Sequence, residues 1–136
     1  MSVSAIVRTV TGKKLEARSR QHRIVTDRPP DEGGSDEGCT SGELLLMAVG
    51  SCATGSLRNY LQAQQLPTVG LQTDLAFAPS AVAGARDKMV LVVTVPAGLD
   101  RCSDEALCAA ATSGRVVSRL KLGSEVEVRI QRPVGR

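Results

Sequence analysis

Four cysteines and a single histidine are the residues of this chain that could do nucleophilic or metal chemistry. No two of Cys39, Cys52, Cys102 and Cys108 form a Cys-x-x-Cys pair, and His22 is the one imidazole. That spacing predicts neither a zinc site nor any other bound metal, and no cofactor is expected. A cysteine attacks only as its thiolate, which needs an electropositive and partly accessible setting. Cys39 follows Asp36 and Glu37, whose charges oppose ionisation. Cys102 has Arg101 beside it, but also Asp100 and Asp104 close by. Cys108 stands between Leu107 and Ala109 and reads as a buried, inert thiol. Cys52 lies in Gly50-Ser51-Cys52-Ala53-Thr54-Gly55, where small neighbours leave room for a substrate to approach.

The rest of the composition narrows the chemistry further. The net charge is +3, unevenly placed. Residues 1–26 carry Arg8, Lys13, Lys14, Arg18, Arg20 and Arg23 against Glu16, whereas 27–43 carry six acids against Arg28. A basic strip followed by an acidic stretch predicts a dipolar, self-pairing surface and no nucleic-acid partner. Tyr60 and Phe77 are the only aromatic side chains, so no base-stacking platform is available. No apolar run approaches the 18 residues that a membrane span requires, and the first residues show no secretory pattern. These features predict a cytoplasmic protein with reduced thiols. At 136 residues, with 42% hydrophobic and 23% charged side chains, the chain reads as one globular domain over 1–136.

Periodicity supplies the elements that must position the thiols. Residues 3–10 read as a strand, and 15–19 and 22–26 as two weaker strands or one bent one. The stretch 27–39, with two prolines and three glycines, reads as a loop. The main helix is expected over 40–65, opened by a Thr40–Glu43 capping box and stopped by Pro67. Its glycines predict very close packing against another backbone, with the helix buried between two copies of the chain. Residues 69–77 alternate as a half-buried strand, 79–86 form a loop, and 89–95 read as a continuously apolar central strand. A second helix is expected from 103 to about 121, and 125–131 as a final half-buried strand. The predicted class is α+β, with helices packed on an antiparallel or mixed sheet.

This layout puts Cys52 about three turns into the main helix, beyond the reach of that helix's own dipole. Glu43 precedes it by nine residues, roughly 13.5 Å along an ideal helix, so the two cannot pair directly. Glu43 is expected to serve the capping box or to orient an arginine. A cation for Cys52 must come from elsewhere, and Arg18, Arg20 and Arg23 are the supply.

The run Asp27, Gly33-Gly34, Asp36, Gly38, Thr40 and then 43–54 resembles the signature of the OsmC/Ohr family, the osmotically inducible and organic hydroperoxide resistance proteins. The resemblance is tight over 27–57, and the element order agrees over most of the chain. It implies an intertwined homodimer with sites at the subunit interface. It also implies thiol peroxidase chemistry, in which a cysteine matching Cys52 attacks a hydroperoxide O–O bond and becomes a sulfenic acid. An Arg–Glu pair holds the thiolate in related members, which draws Arg23 and Glu43 in as candidates. The chain departs from the pattern at the second, resolving cysteine: Arg115 stands there, in Arg115-Val116-Val117-Ser118. On one continuous helix Cys108 would lie roughly 10.5 Å from that position, too far for a disulfide. The resemblance therefore implies a one-cysteine hydroperoxide reductase. Cys52 is its nucleophile, Arg23 or Arg115 its cation, and an external thiol its reductant. The alternative is a protein that has lost turnover and binds a small apolar or electrophilic ligand, or senses oxidants, at the dimer interface.

Overall fold

The computed structural model describes residues 2–84 and 87–133. It divides into two compact units, Met1–Ala48 and Val49–Arg136. The first unit holds strands β1 (Ile6–Thr9), β2 (Leu15–Ser19) and β3 (His22–Thr26) in an antiparallel sheet of order β1-β2-β3. Ile6 pairs with Arg18, and Ser19 pairs with His22. Residues 15–26 are thus a hairpin rather than one bent strand, with Arg20 at φ +54° in its two-residue turn. β1 is shorter than the apolar run that predicted it.

The loop after β3 is organised by one carboxylate. Asp27 is buried, at 4% exposure. Its Oδ1 accepts the Arg28 N–H at 2.7 Å, and its Oδ2 accepts those of Glu37 (3.1 Å) and Ser35 (3.3 Å). The Asp27 N–H donates to the Cys39 carbonyl at 3.1 Å, closing the loop onto the end of β3. Those backbone donors, first Arg28 and then Glu37, hold the Asp27 carboxyl below its usual value against the opposing cost of burial.

Helix α1 (Ser41–Ala63) starts within the first unit, and the unit boundary falls after its Ala48. Its capping box forms as expected: Thr40 N–H donates to Glu43 Oε1 at 2.8 Å, and Glu43 N–H donates to Thr40 Oγ1 at 3.2 Å. The far end closes before Pro67. Gln65 turns left-handed at φ +58°, and Leu66 N–H returns to the Leu61 carbonyl at 2.9 Å.

The second unit is built on a stripe of α1. Val49, Ala53, Leu57 and Leu61, four residues apart, are at most 2% exposed. They pack with Leu99, Leu107, Ala110, Ala111 and Val117. Burial of a leucine or valine in such a core contributes roughly 1.5–3 kcal/mol. Strands β4 (Gln72–Ala78) and β5 (Lys88–Thr94) form a two-stranded antiparallel sheet, with Leu75 opposite Leu91. One face, carrying Leu75, Met89, Leu91 and Val93, packs on the core. Gly50 lets this sheet approach α1, because a Cβ there would lie 2.6 Å from Leu75 Cδ1. The close packing at this glycine is therefore with a side chain and not with another backbone.

Three expectations change. β5 is not a central strand within this chain: among the described residues it pairs with β4 alone, and Val92, on its outer face, is 59% exposed. The single helix expected over 103–121 is two, α2 (Asp104–Ala111) and α3 (Arg115–Leu122), broken at Thr112-Ser113-Gly114. Residues 125–131 are not a strand. The apolar positions alternate, but Val126, Val128 and Ile130 are 76–81% exposed, and among the described residues no strand lies alongside to take their backbone bonds. The loop expected at 79–86 is irregular where it is described; residues 85 and 86 lie outside the described residues. No described helix is long and apolar enough to cross a membrane.

Substituting Asp27→Asn removes the charge but not the side-chain volume. A carboxyl whose folded value is lowered stabilises the fold above its ordinary value, 3.8 for aspartate, and loses that contribution as pH falls below it. The variant should melt at a lower temperature than the parent at pH 7, and the gap should narrow below about pH 3.8. Thermal melts of both proteins between pH 2 and pH 7 check this; a gap independent of pH would assign the effect to shape.

Candidate functional site

Cys52 is half-buried on α1, three residues after Val49 and one before Ala53, at the edge of the core stripe. Across from it stands Gly114, which has φ −70° and ψ 158° and is the N-cap of α3. A Cβ on residue 114 would collide with Cys52 Sγ and would lie 2.6 Å from Ser56 Oγ. The start of α3 therefore touches the thiol because residue 114 has no side chain. Cys52 and Ser56, one turn apart on α1, both point at that contact.

The N-terminal end of α3 has no side-chain cap. The Ser113 hydroxyl, the nearest candidate, turns back to donate to the Ala110 carbonyl of α2 at 2.7 Å. The first intrahelical bond is Ser118 N–H to the Gly114 carbonyl, at 3.0 Å. The first-turn N–H groups thus keep the partial positive charge of an uncapped helix start beside the sulfur. Arg115, the first residue of α3, is exposed and makes no ion pair among the described residues.

The remaining candidates have partners within the first unit. The Glu43 carboxylate is engaged by the Thr40 N–H and hydroxyl, which hold it below its usual range. Arg23 Nε donates to Glu16 Oε2 at 2.5 Å, and Arg18 Nε to Glu16 Oε1 at 2.6 Å. These two guanidinium hydrogen bonds, Arg18 first, lower Glu16 to about 2. Two of the three arginines expected to supply a cation for Cys52 are thus engaged by one carboxylate.

All four cysteines are free thiols. Cys108 is exposed, not buried as its neighbours suggest: the inner face of α2 is taken by Leu107, Ala110 and Ala111, and Cys108 is turned outward by one residue. The disulfide argument against Cys108, which assumed one continuous helix to residue 115, no longer applies in that form.

No protein-family model and no curated protein sequence matches the chain. Solved structures do. An osmotic stress induced and detoxification response protein from Psychrobacter arcticus 273-4 superposes with a TM-score of 0.66 at 18% identity, over 84% of this chain and 85% of that one. A protein from Legionella pneumophila, described as an organic hydroperoxide resistance protein OsmC, superposes with a TM-score of 0.65 at 15% identity, over 89% and 90%. This is the OsmC fold.

Within its second unit the OsmC fold also leaves two apolar clefts. One, of about 550 Å³, is lined by Val49, Phe77, Met89, Leu91, Val117 and Leu120, with Asp87 and Lys121 among its charged neighbours. The other, of about 330 Å³, is lined by Leu57, Leu91, Val93, Leu107 and Cys108. Both are mainly aliphatic, although Phe77, one of the chain's two aromatic residues, lines the first. Cys52 lines neither. The close approach of Gly114 to Cys52 and Ser56 is not announced by any motif of the sequence. The available signal was the Ser113-Gly114 pair, a dipeptide that punctuates helices.

Proposed function

We propose that this chain is a one-cysteine thiol peroxidase that reduces organic hydroperoxides in a reducing, cytoplasmic setting. One observation carries the reading: the thiol of Cys52, half-buried among small residues, lies against the uncapped start of a second helix. The OsmC fold, and the printed description of the Legionella pneumophila protein as an organic hydroperoxide resistance protein, support the substrate class.

The chemistry follows from the thiolate. Cys52 Sγ attacks the terminal oxygen of the hydroperoxide, an S–O bond forms, and the O–O bond breaks. The sulfur is oxidised by two electrons to the sulfenic acid, and the departing alkoxide takes a proton to leave as the alcohol. Residue 115 is arginine, so no thiol stands at that position to resolve the sulfenic acid. An external thiol condenses with it, releasing water and leaving a mixed disulfide. A second thiol then frees Cys52 and departs in the external disulfide. Positive charge near Sγ comes from the α3 side, where Arg115 is the first residue. Arg23 and Glu43 are engaged within the first unit, Arg23 by Glu16 and Glu43 by the capping box that fixes the start of α1.

The working unit is a homodimer. Val126, Val128 and Ile130 form an exposed apolar stripe, and Ile6, Val7 and Val10 are 49–58% exposed. Both are strand edges or strand-like segments that a second copy of the chain would cover.

Cumene hydroperoxide should be consumed in the presence of dihydrolipoamide, and Cys52→Ser should abolish consumption. No turnover by the parent protein, with Cys52 still alkylated by iodoacetamide, would select a ligand binder or oxidant sensor instead. Light scattering at micromolar concentration should return twice the 14.3 kDa chain mass; a monomeric mass would sink the dimer.

A further inference from the structure

We infer that the two apolar clefts of the second unit are one groove, and that it binds a long-chain fatty carboxylate, with the tail along β5 and the head on Lys121. The inference goes beyond the peroxidase reading, because it needs neither a peroxide nor Cys52, which lines neither cleft.

Shared walls make the clefts continuous. Leu91 and Thr112 line both. The inner face of β5 runs through them in order: Met89 and Leu91 line one, and Leu91, Val93 and Val95, just past the strand's end, line the other. At roughly 3.3 Å per residue, Met89 to Val95 spans about 20 Å. One acyl chain covers half the hydrocarbon thickness of a bilayer, about 15 Å. The groove is long enough for such a chain, and volumes of about 550 and 330 Å³ suit a small molecule.

The middle of the groove suits methylenes. The Thr112 hydroxyl donates to the Cys108 carbonyl at 2.9 Å, and among the described residues no buried side-chain nitrogen or oxygen lacks a partner. Charge marks the ends and sets the direction. At the end lined by Met89, Lys121 is exposed and makes no ion pair among the described residues. Its stem can lie on the apolar wall while the ammonium stays in water and meets an anionic head. Asp87, at the same end, accepts the Ser80 N–H at 3.4 Å and faces its own loop. One lysine beside one aspartate favours a singly charged head over a dianion. At the far end stands Asp104, which repels a carboxylate, with Cys108 one turn further along α2.

The test titrates the full-length protein with dodecanoate by calorimetry and follows iodoacetamide alkylation of Cys108 by peptide mass. Dodecanoate should bind one molecule per chain, half-saturating below about 0.1 mM. At about four times that half-saturation it should slow Cys108 alkylation roughly fivefold and leave Cys39 unaffected. Hexanoate, shorter by half, should bind at least about a hundredfold more weakly. Dodecylammonium, with the same tail and the opposite charge, should bind at least about tenfold more weakly, and Lys121→Gln should weaken dodecanoate about tenfold. Dodecyl phosphate should bind no more tightly than dodecanoate. The inference is overturned by no saturable binding, by hexanoate or dodecylammonium matching dodecanoate, by tighter binding of dodecyl phosphate, or by binding that ignores Lys121→Gln and leaves Cys108 unprotected. Alkylation of Cys108 that slows with rising protein concentration and ignores dodecanoate also overturns it, and gives the groove to a second copy of the chain. Dodecanoate binding in a protein without peroxide turnover keeps the inference and sinks only the peroxidase reading; turnover without binding does the reverse.

Discussion

Burial of the stripe Val49, Ala53, Leu57 and Leu61 orients everything else in the second unit. A helix that hides one residue in four has only one rotation about its axis, and that rotation decides where every other side chain of α1 faces. Cys52 precedes Ala53 by one residue, so it falls at the border of the buried face and is neither lost in the core nor free in water. Gly50 lets Leu75 of β4 press onto the same helix, and Thr54 bonds Thr73 across the gap at 2.8 Å. The sheet side of α1 is thereby occupied, and α3 meets the helix where Cys52 and Ser56 emerge.

Charge in the first unit is spent internally. Asp27 satisfies three backbone donors of its own loop, and Glu16 holds two arginines on the neighbouring strands. Exposed pairs of this kind add little stability, typically below about 1 kcal/mol each. Their consequence is positional: they keep Arg18 and Arg23 on the sheet. Of the basic strip that looked like a reserve of activating cations, Lys14, Arg18 and Arg23 are held in local pairs. Within the second unit, the helix start that meets Cys52 has a glycine N-cap and no side-chain cap.

Where the sequence was legible, a local rule sufficed. The capping box at Thr40 and Glu43 and the Asp27 to Cys39 loop follow from neighbouring residues alone, and each formed; the alternation expected over 69–77 held only in part, since β4 starts at Gln72 and the apolar Val69 and Phe77 are 90% and 42% exposed. Where it misled, a longer-range condition intervened. The apolar run of β5 suggested a central strand, but a strand is central only where the sheet supplies a neighbour on each side, and β4 is the one described neighbour here. The 125–131 alternation requires a strand beside it, which this chain by itself does not offer. Helix propensity across 103–121 concealed the break at Ser113-Gly114, and with it the contact that defines the site. Cys52 was recognisable from its small neighbours and from the family resemblance; the close approach of Gly114 was not, because a residue without a side chain shows itself only by the space it leaves.

The central claim is that Cys52 is the thiol that takes oxygen from a hydroperoxide. Its most direct test is to treat the reduced protein with one equivalent of cumene hydroperoxide in the presence of dimedone, which captures sulfenic acids, and to map the adduct by peptide mass. The account predicts a single adduct on Cys52, with Cys39, Cys102 and Cys108 left as free thiols. An adduct on any of those three in place of Cys52, or none at all, would contradict it.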